Sequence, residues 1–389
     1  MPADGALPAA AVEGTAARPF QVYLHVPFCR VRCGYCDFNT YVSELAGLSA
    51  ADYLIAAHRE IDLAARVLPA GMVVSTVFIG GGTPTLLTPA QLGGLIAHLS
   101  GVWTLAGEAE VTVEANPETV DPQVLSSLLD AGCTRLSLGM QSAVPHVLAT
   151  LDRVHTPGRA LDAVRWAHAA GFGSVSVDLI SGTPGESLDD WRCSLDAALS
   201  VAPQHVSAYS LIVEPGTALA RRVKRGEVPP PDDDDLAEKY LLTEATLVAA
   251  GMANYEVSNW SLPGHESRHN LGYWRSADWW GIGPGAHSHV GGVRWWNVLQ
   301  PRAYAAALAE GRSPGAGRER LTNLERRMER VLLELRLAEG LPLSVLTPTE
   351  RDRVPGVLSA GLATIDGGRL VLTLPGRLLA DAVIRDLLD

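Results

Sequence analysis

Apolar, β-branched runs alternate with helical patterns from about residue 20 onward. The runs predict strands at residues 21–26, 75–79, 110–114, 135–139, 174–180 and 205–211. Helix starts stand between them. Thr88-Pro89, Asp121-Pro122 and Thr156-Pro157 each set a capping side chain before a proline at the first helical position. Ser187 with Asp190 reads as a capping box, and Gly132 and Gly171 follow the last apolar helical positions as stops. Val124, Leu125, Leu128 and Leu129 fall on one face, as in a helix packed on a sheet.

Repeated strand–helix units predict an α/β fold with a parallel sheet and right-handed crossovers. Six units suit an open doubly wound sheet or a partial barrel, and in both the chemistry gathers at the carboxyl ends of the strands. After residue 300 the texture changes. An Arg-rich amphipathic helix over 323–338, a short helix near 348–361, a hairpin turning at Asp366-Gly367-Gly368 and a closing helix over 378–388 predict a small helical and winged accessory domain. The expected division is a disordered Ala-rich leader at 1–19, a core at 20–300 and the accessory domain at 301–389. The run PPPDDDD at 229–235 reads as a solvated hinge before a helix, with a cation site as the alternative.

Composition adds exclusions. A net charge of −12 over 389 residues argues against wholesale nucleic-acid binding. No apolar run has the length of a membrane span, and the leader lacks the basic start and apolar block of a secretory signal. The expected location is the cytoplasm, with a place at the membrane surface also open.

The cysteines change the picture most. Three of the five crowd into one loop directly after the first strand, as Cys29-x-x-x-Cys33-x-x-Cys36. Zinc sites want two separated pairs, and no second pair follows. Cys133 and Cys193 are isolated and read as small buried residues. Three thiolates on a four-iron cluster leave one iron without a protein ligand, which a chelating amine and carboxylate would suit.

This spacing, with Tyr35 as the aromatic before the last cysteine, resembles the radical S-adenosylmethionine superfamily. Gly80-Gly81-Gly82-Thr83-Pro84 after the second strand is similar to that family's GGTP motif, where glycines allow close backbone approach. The resemblance implies a partial (βα)6 barrel, a [4Fe-4S] cluster on Cys29, Cys33 and Cys36, and S-adenosylmethionine as the partner of the open iron. It narrows to the branch of oxygen-independent coproporphyrinogen III dehydrogenase and its close relatives. That likeness implies cofactor contacts from Tyr23, Tyr35, Gly80, Gly81, Gly82, Thr83, Glu114, Gln141, Arg153 and Asp178. Carboxylates of this kind can bind ribose hydroxyls, and arginine can pair a carboxylate.

Three departures separate the chain from the dehydrogenase. Asp37-Phe38 follows Cys36 where the dehydrogenase has a further cysteine. The N-terminal stretch before Tyr23 is short. His269-Asn270-Leu271-Gly272-Tyr273-Trp274 matches the HNxxYW signature of the relatives regarded as haem chaperones, and Gly281–Ser288 (GIGPGAHS) matches them too. The resemblance therefore implies a protein that binds haem and passes it to acceptor haem proteins, plausibly respiratory ones, without dehydrogenase activity. The alternative is radical oxidative decarboxylation of porphyrinogen propionates, and any cleavage of S-adenosylmethionine would need an electron donor.

The segment from Trp260 to Trp296 is unusually aromatic. It reads either as a core edge or as a flat wall for a macrocycle. His269, first of the candidates, and His287 or His289 would then be iron ligands, with Arg268, Arg275 and Arg294 for propionates. His287 could instead act on S-adenosylmethionine. Two other patterns are rejected. His265-Glu266-Ser267-Arg268-His269 spells HExxH, but Pro263-Gly264 and Gly272 leave no long helix to carry it. Gly281-x-Gly283-x-x-Ala286 resembles a dinucleotide fingerprint, but Pro284 interrupts it and no helix follows.

Overall fold

The computed structural model describes residues 1–42 and 46–388. Strands β1 (Phe20–Val26), β2 (Val73–Gly81), β3 (Thr104–Ala115), β4 (Arg135–Gln141), β5 (Ser174–Ser181) and β6 (His205–Ser210) lie side by side in chain order, each parallel to the next. Helices α1 (Ala50–Val67), α2 (Pro89–Val102), α3 (Pro122–Asp130), α4 (Arg159–Ala170) and α5 (Leu188–Leu199) cross between them, and α6 (Asp233–Ala249) follows β6. This is the partial (βα)6 barrel. Among the described residues the sheet does not close; it is extended at both edges to twelve strands.

Beyond β6 lie β7 (Ala253–Glu256) and β8 (Asn259–Ser261), with β8 antiparallel to β6. Helix α7 (Arg268–Trp274) follows. Beyond β1 comes β9 (Asp278–Ile282), parallel to it, then antiparallel β10 (His287–Val290), β11 (Val293–Asn297) and β12 (Gly315–Arg320).

A period of two organises the parallel strands. Val22 and Leu24, Val77 and Ile79, Val111 and Val113, and Leu136 and Leu138 point outward into one core with Ile61, Leu92, Leu95, Leu125 and Leu128 of the helices. Each fully buried side chain of this kind contributes roughly 1.5–3 kcal/mol. The intervening positions, polar or aromatic, point into the barrel.

Most local signals act as expected. Thr88 and Asp121 cap α2 and α3, Ser187 and Asp190 form their capping box, and Gly132 and Gly171 adopt left-handed φ of 98° and 104° at helix ends. Thr156-Pro157 does not cap: α4 starts at Arg159 behind Gly158, and the Thr156 N–H is drawn to the Glu118 carboxylate at 2.5 Å. The acidic run is a helix start rather than a hinge. Asp232 caps α6, and Asp233, Asp234 and Asp235 fill its first turn, where they complement the helix dipole.

The N-terminal segment, expected to be disordered, lies along the edge strands. Ala11 is buried, with its carbonyl packed where Gly291 lacks a side chain, and Arg18 pairs with Asp278 at 2.6 Å. Small alanines let this segment fit close to the sheet. The core also runs past residue 300: helix Pro301–Ala309 packs Tyr304 and Leu308 on α1, and β12 is a strand of the main sheet. The accessory unit begins at helix Asn323–Glu334, shorter than expected, and its short helix is two, Pro348–Arg351 and Val354–Ser359. Gly367 and Gly368, at φ of 52° and 76°, turn the hairpin between Ala363–Asp366 and Arg369–Leu372. Leu341, Leu370, Val383 and Leu387 give this unit its own core.

Candidate cofactor site at the barrel mouth

The inward positions enclose a cavity of about 560 Å³ that opens past the three clustered cysteines. Phe28–Cys29 pairs with Tyr41–Val42 in a short parallel ladder, which fixes the start of the loop. Its middle is pinned by Gly34, whose N–H donates to Leu151 and whose carbonyl accepts from Leu219. Tyr35 packs into an apolar cluster with Val147, Ile180 and Leu211, which explains the aromatic. Cys29 is 8% exposed, and burial raises both its thiol pKa and that of Cys36. Among the described residues no three His, Cys, Asp or Glu side chains form a single-ion site. Thiols spread along one loop suit a multi-iron cluster, in which each iron takes its own thiolate.

The glycine run packs under this loop. A Cβ on Gly82 would sit 2.4 Å from the Phe28 carbonyl oxygen and 3.0 Å from Cys29 Sγ. Gly81, at φ 111°, donates its N–H to Glu114 at 3.1 Å, while Thr83 N–H reaches the Phe28 carbonyl at 2.8 Å. Bare backbone here lets the cysteine loop and the walls of the cavity pack directly on the end of β2.

Across the mouth, Gln141 holds φ +68°, an uncommon conformation for a side-chain-bearing residue. Gln141 and Arg153 both lie over Gly139, where a Cβ would meet them at 2.8 and 3.1 Å. Arg153 donates to the Gly139 carbonyl at 2.7 Å and to Cys33 Sγ at 3.7 Å, and its Nε has no partner. On the opposite wall Tyr23 OH lies 2.9 Å from His25 Nδ1, and His25 Nε2 lies 3.0 Å from the Asn39 carbonyl. Burial lowers the His25 pKa. The neutral ring thus donates from Nε2 and accepts the tyrosine proton at Nδ1.

Asp178 accepts from Ser137 at 2.9 Å, and burial raises its pKa. Glu114 is pushed up to about 8, first by burial and second by the nearby Asp178 charge. A carboxyl raised in this way stabilises the fold fully below its ordinary range of about 4.3 and loses that contribution as pH rises through the folded value. The ligand-free protein should therefore lose a few kcal/mol of unfolding free energy between pH 5 and about 8.5. Glu114→Gln, which keeps the shape without the charge, should make the profile shallower, while Glu60 and Glu186, each pushed up to about 7 by burial, keep part of the slope. Denaturant melts across that range read both, and an unchanged slope in the variant would refute the assignment.

The structure thus brings Tyr23, Tyr35, Thr83, Glu114, Gln141, Arg153 and Asp178, with Gly81, Gly82 and the three cysteines, around one cavity; Gly80 abuts Glu114. The histidines fall out differently. His269 is 1% exposed; its Nδ1 lies 2.7 Å from Thr76 Oγ1 and its Nε2 lies 2.9 Å from Tyr273 OH. Burial lowers its pKa to about 3. Both ring nitrogens are engaged, so in this form the side chain anchors the interior and offers iron no free nitrogen. The HNxxYW segment is α7, which plugs the barrel: Glu110 accepts the N–H groups of Arg268 and His269, Asn270 donates to Glu256 at 3.0 Å, and Gly272 packs on Gln21. His265 precedes the helix, so no HExxH face forms. His289 donates to the Ala277 carbonyl and accepts from Gly292 N–H.

His287 stands apart from the cavity, half-exposed on β10 with its ring stacked on Trp296 at 5.9 Å. That argues against the expected contact with S-adenosylmethionine. Trp260, Trp280 and Trp295 are core residues, at 0–1% exposure. Cys133 is buried as expected, but Cys193 is exposed on α5. The inward residues Thr112, Arg135, Ser137, Ser176 and His205 were not anticipated; their signal is the alternation within each strand.

Residues 23–198 match the model of the radical SAM superfamily. The chain is 56% identical over 372 residues to the heme chaperone HemW of Mycobacterium tuberculosis, covering 95% of each. The chain belongs to the HemW family. The Bacillus subtilis HemW is 36% identical over 321 residues, 82% of this chain and 84% of that one. The solved structure of coproporphyrinogen III oxidase (HemN) from Escherichia coli superposes with a TM-score of 0.84 over 97% of this chain and 92% of that one, at 24% identity. That likeness is one of fold. The cysteine loop and the glycine run fall within residues 23–198, and no helix of the described residues is long and apolar enough to cross a membrane.

Proposed function

We propose that this protein is a cytoplasmic haem chaperone that binds haem and hands it to acceptor haem proteins, holding a [4Fe-4S] cluster and S-adenosylmethionine at the barrel mouth. The observation that carries the reading is the 56% identity with the Mycobacterium tuberculosis heme chaperone over 95% of the chain. The donor set fits the cofactors: three thiols in one loop, a bare glycine shelf, and Arg153 with an unpartnered buried Nε beside Cys33. Cys29, Cys33 and Cys36 would hold the cluster, and Arg153, Gln141, Glu114 and Asp178 the S-adenosylmethionine. When bound, the cluster would offer an open iron to the amine and carboxylate of S-adenosylmethionine, and reductive chemistry at its sulfonium would need an electron from an external donor. What the chain itself does is position and dry this site. Tyr23 and Phe78 wall it, and α7 blocks the far end of the lumen.

Of the three histidines, His287 keeps its ring nitrogens free of hydrogen bonds among the described residues and lies flat beside an indole. We assign iron ligation to it, since a macrocycle wants an imidazole and an apolar surface together. Adding haem to the reconstituted protein should give a Soret band. His287→Ala should weaken that binding about tenfold or more, with iron and sulfide of the cluster unchanged. Coproporphyrinogen supplied under reducing, anaerobic conditions should not be decarboxylated. Absence of a Soret band, or stoichiometric protoporphyrinogen, would overturn the chaperone reading.

A further inference from the structure

The barrel lumen buries a cation that, among the described residues, hydrogen-bonds no carboxylate. Arg135, at the start of β4, is 3% exposed. Its Nη1 donates to Ser174 Oγ at 2.9 Å and to the His265 carbonyl at 2.8 Å, which fixes the guanidinium. Its Nη2 has no partner, and among the described residues it forms no ion pair. Thr112 is its register partner on β3, 1% exposed, and the Thr112 Oγ1 is unpartnered too. Both residues line the cavity.

A buried unpaired charge and a buried unpaired hydroxyl side by side are costly, and folded proteins rarely keep them without a ligand. Asp178 offsets part of the charge through space, but a water would still leave the guanidinium without an ionic contact. The neighbours do not compete for the role. Asp178 is held by Ser137, and His205 is engaged at both nitrogens, by Ser176 at 2.7 Å and Tyr255 at 2.8 Å. The cavity therefore presents two unused donors and one positive charge from paired register positions on neighbouring strands. Arg153, beside Cys33, is the cation placed for the carboxylate of S-adenosylmethionine, so this is a second one.

We propose that Arg135 and Thr112 form a carboxylate-binding site in the barrel lumen, separate from the cofactor's own carboxylate contact. The separation rests on the cofactor reading of Arg153; the site itself does not rest on haem binding. Its ligand is either a small organic acid or the carboxylate arm of a larger molecule.

The test is thermal melting of the full-length reconstituted protein in sodium acetate against sodium chloride at equal ionic strength, with and without saturating S-adenosylmethionine. Acetate should raise the melting temperature, and the rise should persist with S-adenosylmethionine present. Arg135→Gln and Thr112→Val should each weaken the apparent acetate affinity, the first about tenfold or more, as loss of a charge-assisted hydrogen bond predicts. Thr112→Val carries a further signature. It removes only an orphan hydroxyl, so without acetate it should melt at or above wild type, whereas a structural threonine would melt lower. It also reads the site if Arg135→Gln does not fold.

Two arms separate the ligand sources. Loss of the acetate response on adding haem, but not haem dimethyl ester, assigns the site to a haem propionate; persistence with both assigns it to a free acid. Either supports the site. No acetate response, an equal response in both variants, or its disappearance with S-adenosylmethionine would overturn the proposal. Failure of the chaperone reading would appear separately, as a missing Soret band with the acetate response intact.

Discussion

Iron and sulfide in the anaerobically reconstituted protein should fall from about four of each per chain to none in Cys29→Ala, Cys33→Ala or Cys36→Ala. Each thiol has its own structural reason to be there. Cys29 ends the ladder that anchors the loop and packs against Gly82, Cys33 accepts from Arg153, and Cys36 lies 4.0 Å from Thr40 Oγ1. Among the described residues no group of three or more His, Cys, Asp or Glu side chains is gathered elsewhere to hold the iron instead. The remaining cysteines are the controls. Cys133 sits in the outer core with Leu125 and Leu128, on the helix side of the sheet, and Cys133→Ala should cost about 1 kcal/mol of packing and no iron. Cys193 is on the surface of α5, and Cys193→Ala should cost neither. Iron and sulfide assays with circular dichroism on the same samples read the outcome. Cluster loss in Cys133→Ala with the fold intact would mean that a ligand lies elsewhere.

The barrel was legible in the sequence because apolar runs mark the strands and the helices between them are bounded by caps and glycine stops that act locally. Thr88, Asp121 and Ser187 cap their helices whatever lies around them. The elements that were misread depend on distant partners. The N-terminal segment has no internal pattern, and it is placed by Arg18 reaching Asp278 and by the bare backbone at Gly291. Residues 301–320 look like the start of a new unit until Tyr304 is seen to bury its ring on α1 and donate to Glu60. At the site, the cysteine spacing and glycine run were readable because backbone approach and thiolate number are local properties. The lumen was also written in the sequence. Glu110, Thr112 and Glu114, or Arg135, Ser137 and Gly139, occupy every second place of runs otherwise rich in Val and Leu. A reading of those runs as simply apolar hides the inward face. His269 reads differently in the sequence and in the structure for another reason. A signature shared with haem-binding relatives suggests a ligand, but only packing reveals that both of its nitrogens are taken.

His269→Ala should therefore cost stability and spare haem. The change removes the hydrogen bonds to Thr76 and Tyr273 and opens a cavity against the Phe78 ring, whose centroid lies 5.2 Å away. Thr76 keeps a donor from Gln21 at 3.0 Å, but Tyr273 OH is left buried without a partner. One orphaned buried hydroxyl with a side-chain-sized void costs about 3–4 kcal/mol. The loss also loosens the plug, because the imidazole holds Tyr273, which packs edge-on against Trp279 at 4.8 Å. The midpoint of denaturant unfolding should drop accordingly, while a Soret titration of the folded variant should match wild type. His269→Gln, which can still donate to one neighbour and accept from the other, should recover part of the lost stability. The opposite pairing of results, weakened haem with an unchanged unfolding midpoint, would return His269 to the iron. It would also require α7 to leave the barrel when haem binds, since in the plugged form the Tyr273 hydroxyl sits where the metal would have to be.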